Sequence, residues 1–332
     1  SMTTMPRTNP VSVCGYHIRE SGATPAQEIA YAILIANAYI DNVLARGYDV
    51  DDFVGRFSFN LNVFGNMWEQ IAKFRAARKL WARNLKEKYN VKKTQNLFLR
   101  GLFGGGGYGL TKAQPENNIM RGAYYALVAA LSGAQTTALC SFDEAYTIPT
   151  PRSALISLRT LQLLMDEMGL RDTVDPLAGS YFIETLTKEM EQKIEEEMEK
   201  IVKYGGIVKA VADGYIQRLV ARQAFEVEKG LESGELLKVG VNIYKEGTPM
   251  DVELHEYNYE SAEKQIESLR KVKKERSSSE VARTLKELER VTREGKNVMP
   301  ALVECCKAYA TVGEMTGIFR QIFGEFQEPS LF

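Results

Sequence analysis

Four times between residues 10 and 170, a short run of β-branched or aromatic residues gives way to a longer stretch with helical spacing. The runs are Val11 to Tyr16, Phe57 to Val63, Leu97 to Phe103 and Ala134 to Cys140. This alternation predicts βα units and a parallel sheet, since parallel neighbours need a crossover between them. The helix starts agree. Thr24-Pro25-Ala26-Gln27 sets a capping threonine before a first-turn proline, with glutamine placed to close a capping box. Thr150-Pro151 repeats the device, and Pro115 is expected to open the helix between them. After Thr24, residues Ile29, Ala30, Ile33, Ala36 and Ile40 share one face, which should pack on the sheet.

The units recur about every 35–45 residues, longer than the roughly 30 of a minimal (β/α)8 barrel but within range for one with insertions. Four units make half a barrel. Four strands would leave two unpaired edges and an uncovered inner face, so the chain calls for something to complete it. After residue 180 the pattern turns helical. Lys188 to Tyr204 reads as a helix with Met190, Ile194, Met198 and Ile201 inward, stopped by Gly205-Gly206, and its glutamates read as a solvated face. Residues 240 to 256 hold turn signals and the second histidine, His255. Charged helices follow from 257 to 293 with a linker expected at Lys273 to Ser279, and a last helical stretch runs from about Pro300 to Phe323. The division expected is a lead-in with a tag remnant over 1–8, a half barrel over 9–180, a helical region packed on it over 181–256, and a charged helical region over 257–332.

Composition narrows the partners. Lysine plus arginine (42) nearly balances aspartate plus glutamate (43), so no global field draws the chain to nucleic acid or an anionic membrane. No apolar run approaches the roughly 20 residues of a membrane span. Cys14, Cys140, Cys305 and Cys306 lack metal-ligand spacing and read as reduced thiols of a cytoplasmic protein.

In a parallel barrel, polar residues at the C-terminal strand ends carry the chemistry. The candidates here are His17 with Arg19 and Glu20, Arg56 with Ser58, Arg100 with the run Gly104 to Gly107, and Gln135 with Asp143 and Glu144. His17 reads equally as a ligand-facing group or as a core histidine held by a backbone carbonyl. The run FGGGGYG meets neither GxGxxG nor the phosphate-loop pattern. Its glycines either leave room for a ligand at a strand mouth or form a tight turn.

Taken together, NPVSVCGYHIRESGATPAQEIAYA, RFSFN, NNIMRGAYYALVAALSGAQ, SFDEAYTIPTPRSA, DPLAGSYFIE, GGIVKAVADGYIQ and VGVN resemble the large subunit of the adenosylcobalamin-dependent acyl-CoA mutases, over nearly the whole chain. The resemblance implies an isomerase with a TIM-type (β/α)8 barrel that binds coenzyme A along its axis beneath a cobalamin-binding domain or subunit. It places this chain as strands five to eight of that barrel followed by a mainly helical region. The first four strands have no counterpart, as after genetic splitting or deliberate truncation, and the cobalamin motif DxHxxG does not occur. The partners implied are an acyl-CoA, an N-terminal barrel half, a small cobalamin-binding subunit or a second copy of the chain.

By the same resemblance His17 is the catalytic histidine that hydrogen-bonds the thioester carbonyl. Glu20 and Glu144 contact the deoxyadenosyl ribose of adenosylcobalamin, with Cys140 assigned beside them. Arg56, Ser58 and Gln135 hold the coenzyme A side. Where methylmalonyl-CoA mutase has histidine-x-glutamine, this chain has Leu102, Phe103 and Gly104. Leu102 and Gly104 therefore predict a larger or less polar acyl group than methylmalonyl.

Overall fold

The computed structural model describes residue 5, residues 8–246 and residues 252–329. It divides the chain into two compact units, the first ending at His255 and the second beginning at Glu256. Part of the expected lead-in, part of the turn-rich stretch 240–256 and the last three residues lie outside the described residues.

In the first unit the elements run β1 (Val11–Cys14), α1 (Tyr16–Glu20), α2 (Pro25–Leu44), α3 (Val50–Phe53), β2 (Phe57–Val63), α4 (Met67–Glu87), β3 (Gly101–Gly105), α5 (Asn117–Leu131), β4 (Thr136–Leu139) and α6 (Pro151–Asp166). The helices α7 (Tyr181–Tyr204), α8 (Ile207–Ala212) and α9 (Tyr215–Ser233) follow. The four strands pair in the order β1-β2-β3-β4, all parallel. Sequential order without a reversal is the barrel pattern, not that of a doubly wound sheet.

Alternation along the strands sorts the two faces. Val13, Phe57, Phe59, Leu61 and Phe103 are buried beneath the helices, with Phe74 of α4 stacked on Phe103 at 4.0 Å and Trp81 edge-on to Phe59. The opposite face holds Ser12, Cys14, Ser58, Asn60, Gly104, Thr136 and Ala138, small or polar and mostly open, with Leu102 the one bulky apolar residue among them. A filled barrel interior would instead carry bulky aliphatic residues here.

The helix signals act as expected at most starts. Thr24 and Gln27 close their capping box on α2, and Thr150 caps α6. Pro115 instead lies in the turn ahead of α5, whose buried Asn118 bonds Thr111 and the Phe142 carbonyl. The helix expected at Lys188 begins at Tyr181 and packs on α2 and α4. Met190, Ile194 and Ile201 are buried along it, and Gly205 ends it in the left-handed conformation at φ 116°.

The second unit comprises α10 (Tyr259–Glu275), α11 (Ser278–Arg293), α12 (Met299–Lys307) and α13 (Val312–Phe323). Val281, Leu288, Val291, Ala301, Cys305 and Met315 form its core. The expected linker at Lys273 to Ser279 shrinks to a fixed corner of two residues. Arg276 there donates to both oxygens of Glu314 at 2.6 and 2.8 Å, and Ser277 caps α11. The stretch expected to be one helix from Pro300 is two, because the chain turns at Tyr309 (φ 60°) and restarts on a Thr311–Glu314 capping box.

Candidate functional site

Beyond Cys14 the chain leaves the sheet. Tyr16 and His17, which follow the apolar run without a break, belong to the five-residue helix α1 and not to a strand end. A β carbon on Gly15 would lie 3.0 Å from both Glu28 and Leu61, so glycine lets this turn sit tightly against α2 and β2.

The departure of β1 strands the next β2 residue. In β2, the even-numbered residues turn their backbone polar groups toward β1, and Asn62 has no β1 residue opposite it. Glu28 of α2 and Lys73 of α4 take the missing strand's place. Glu28 accepts from the Asn62 amide at 2.6 Å, and Lys73 donates to the Asn62 carbonyl at 2.5 Å and to Glu28 at 2.7 Å. Both side chains are 0% exposed. Burial pushes the Lys73 ammonium down to about 8, with Glu28 opposing.

The Asn62 side-chain amide then donates to Glu20, whose other oxygen accepts from the Tyr108 amide at 2.8 Å. Arg19 is committed elsewhere, stacked 3.9 Å over Phe64 and donating to the Ala23 carbonyl. The glycine run closes this side of the mouth. Gly104 and Gly105 belong to β3 and Gly107 opens a tight 3-10 turn over Gly107–Gly109, but none of Gly104 to Gly107 has positive φ, so the turn does not itself call for glycine. What matters is room. A β carbon at Gly104 would press on the Tyr16 ring at 3.1 Å, one at Gly106 would strike Asn62 and Glu20, and one at Gly107 would touch Glu144 and Cys140.

A phenol, an imidazole, two carboxyls and a thiol therefore gather at the C-terminal ends of the strands. The Tyr16 hydroxyl lies 3.8 Å from Cys140 Sγ, and burial with Cys140 and Glu20 nearby pushes its pKa up. Burial, Asp143 and Glu20 raise the Glu144 carboxyl, and burial and Glu144 raise the Cys140 thiol. His17 is exposed, which removes the core-histidine reading, and its Nδ1 lies 3.2 Å from Cys14 Sγ. Such a group can present neutral hydrogen-bond donors beside carboxylate acceptors to hydroxyls and carbonyls of a ligand.

Arg56, Arg100 and Gln135 were expected at this same end. They lie instead just before β2, β3 and β4, at the N-terminal ends, where they share a recess of about 430 Å³ with Lys93, Asn96 and Phe98. For Arg100 the displacement arises because a 3-10 turn at Thr94–Leu97 occupies the start of the third apolar run, so β3 begins only at Gly101, while Arg56 and Gln135 directly precede the first paired residues of β2 and β4. Ser58 and Leu102 lie between the two ends on the open face. Sequence reasoning missed Tyr16, Asn62, Lys73 and Glu28. The period-2 polar series Ser58, Asn60, Asn62 was the available signal for the open face.

Comparison with known proteins bears on this arrangement. The family model described as methylmalonyl-CoA mutase matches residues 1–325. The 2-hydroxyisobutanoyl-CoA mutase large subunit of Aquincola tertiaricarbonis is 36% identical over 334 residues, covering 100% of this chain and 59% of that protein. Methylmalonyl-CoA mutase of Rhizobium meliloti is 38% identical over 325 residues, 97% of this chain and 45% of that protein. The human mitochondrial methylmalonyl-CoA mutase is 34% identical over 323 residues, 97% of this chain and 43% of that protein. The chain thus spans about half the length of the curated relatives it matches. With a match that runs through every strand, both polar ends and the helices beyond, the chain belongs to the methylmalonyl-CoA mutase family.

Proposed function

We propose that this chain supplies strands five to eight of the substrate-binding barrel of a cobalamin-dependent acyl-CoA mutase, an isomerase that rearranges the carbon skeleton of an acyl group other than methylmalonyl. The observation that carries this is the gathering of Tyr16, His17, Glu20 and Glu144 at the C-terminal ends of parallel strands, above an open face of small and polar residues. The acyl-CoA would lie along that face, with its coenzyme A end toward Arg56, Ser58 and Gln135 and its thioester near His17. His17 would donate an N–H to the thioester carbonyl and hold the migrating group in place. Leu102 makes the wall beside the acyl group apolar, and Gly104 adds no side chain to it, with the Tyr16 ring packed close over it.

The residues present fit the adenosyl part of adenosylcobalamin. Glu20 and Glu144 offer acceptors for ribose hydroxyls, and the absence of side chains at Gly106 and Gly107 lets both carboxyls come close to the β3 end. When bound, adenosylcobalamin supplies the homolysis chemistry by which a substrate hydrogen atom is taken and returned. The work left to the chain is to bind, orient and keep water out.

The chain is expected to be inactive alone and to act with a chain carrying the remaining strands and a cobalamin-binding subunit. A second copy is the rival partner, since the same open face and edges would receive it. Affinity capture from the source lysate, then assay of the captured assembly with adenosylcobalamin and a panel of acyl-CoAs, tests the reading. Branched or longer acyl-CoAs should outpace methylmalonyl-CoA, and His17→Ala should lower kcat by about 10²–10³-fold, as loss of a positioned donor does. An assembly that isomerises no acyl-CoA refutes the mutase reading, and a preference for methylmalonyl-CoA refutes the choice of acyl group.

A further inference from the structure

Cys14 is the last residue of β1 and His17 the second of α1, so the strand end and the first helical turn bring Cys14 Sγ within 3.2 Å of His17 Nδ1. No other side-chain bond of this ring is found among the described residues, which leaves Nε2 to whatever enters the mouth. Tyr16 packs edge-on to the imidazole, with centroids 5.6 Å apart and planes at 85°, against the half-turn of the ring that would exchange Nδ1 for a carbon. Two arrangements are open to the pair, S–H into Nδ1 or Nδ1–H into sulfur. The first is favoured because an imidazole lone pair is a much better acceptor than a thiol sulfur.

We propose that Cys14 is a positioning residue that donates its S–H to His17 Nδ1 and thereby fixes the ring proton on Nε2, so that the mouth meets an N–H and not a lone pair. The consequence for chemistry follows from the acceptor. A carbonyl oxygen only accepts, so the Nε2–H tautomer attracts it and the other tautomer repels it. Only the identity of that carbonyl, a thioester, rests on the mutase reading; the tautomer is a property of this chain by itself. A lone Cys-x-x-His in sequence carries no such message, because only the change from strand to helix at Gly15 brings the two side chains together.

The chain has two histidines, so long-range ¹H–¹⁵N correlations on the ¹⁵N-labelled full chain resolve both rings, with exposed His255 as an internal reference. At about pH 7.5, above the ordinary histidine range and below that of cysteine, His17 should show the Nε2–H pattern alone while His255 shows the solvent mixture. Cys14→Ser should keep that pattern, since a hydroxyl also donates. Cys14→Ala should move His17 to the mixture seen for His255. An Nδ1–H or doubly protonated His17, a wild-type ring already matching His255, or a pattern indifferent to Cys14→Ala each overturns the proposal. Should Cys14→Ala fail to fold, the wild-type comparison of the two rings decides alone. In the captured assembly, Cys14→Ala should lower kcat more than it changes KM, with Cys14→Ser restoring it. A fixed tautomer without mutase turnover would count against the mutase reading and leave the role of Cys14 standing.

Discussion

A β carbon at Gly106 would collide with both the Asn62 amide and the Glu20 carboxylate, so the residue that holds Glu20 and the gap that admits it are specified together. Glu20 in turn acts on Glu144, whose carboxyl is raised by burial, then by Asp143 and Glu20. Like charges disfavour each other's ionised form, so removing one lets the other ionise at lower pH. Glu20→Gln should therefore lower the Glu144 titration midpoint, followed by carboxyl ¹³C shifts. A midpoint that does not move would show that the two carboxyls do not share a site. None of this coupling was legible in sequence, where Glu20 and Glu144 stand far apart and only the family resemblance paired them. The glycine run was legible as a feature but not in its purpose, which lies in side chains from α1, β2 and the stretch after β4.

At the scale of elements, what the sequence made plain was periodic: strands, amphipathic helices and the Thr24 capping box all have local signatures. What it hid was tertiary. A helix as short as α1 has too few turns to show a period, so Tyr16 and His17 read as strand. The clamp on Asn62 joins Glu28, Asn62 and Lys73 from three elements, and each looks ordinary alone. Breaking a buried ion pair on one side leaves an uncompensated charge and costs about 3–5 kcal/mol. Lys73→Met should destabilise the chain by that amount in denaturant unfolding, while Lys73→Met with Glu28→Leu should recover part of it. A single substitution with no measurable cost would mean that the pair does not hold β2.

The second unit offers a pH test at the same scale. Bonds from Arg276 and Thr311 hold the Glu314 carboxyl down to about 2. Its folded value is depressed, so its contribution is complete above the ordinary carboxylate range and is lost as pH falls from about 4.5 toward 2. The protection factors of α11 and α13 amides, taken relative to intrinsic exchange at each pH, should fall across that window, and Glu314→Gln should flatten the dependence. Equal protection at both ends of the window would remove the pair from any stabilising role.

For the whole molecule the question is what completes the sheet. The strand face beneath α2 and α4 is sealed, whereas β4, at the far edge, alternates exposed and half-buried residues with none buried. The helix after it is open too: α6 buries only Ser153, and Leu155, Leu158, Leu163 and Met165 are between 43% and 49% exposed. Apolar residues at this spacing on an unpaired edge form a surface that favours contact with another polypeptide over water. We expect the purified chain to self-associate through it when no other partner is present. Sedimentation over a range of concentrations should give masses above 37.3 kDa. Leu158→Asp with Leu163→Asp should return the mass to that of one chain without loss of helical circular dichroism, because neither residue is buried. The same double substitution should block association with a chain that carries the other strands, since both partners would need the same edge. A chain that stays monomeric at every concentration, or an association that survives the two aspartates, would move the completing surface away from β4 and α6 to β1 at the opposite edge.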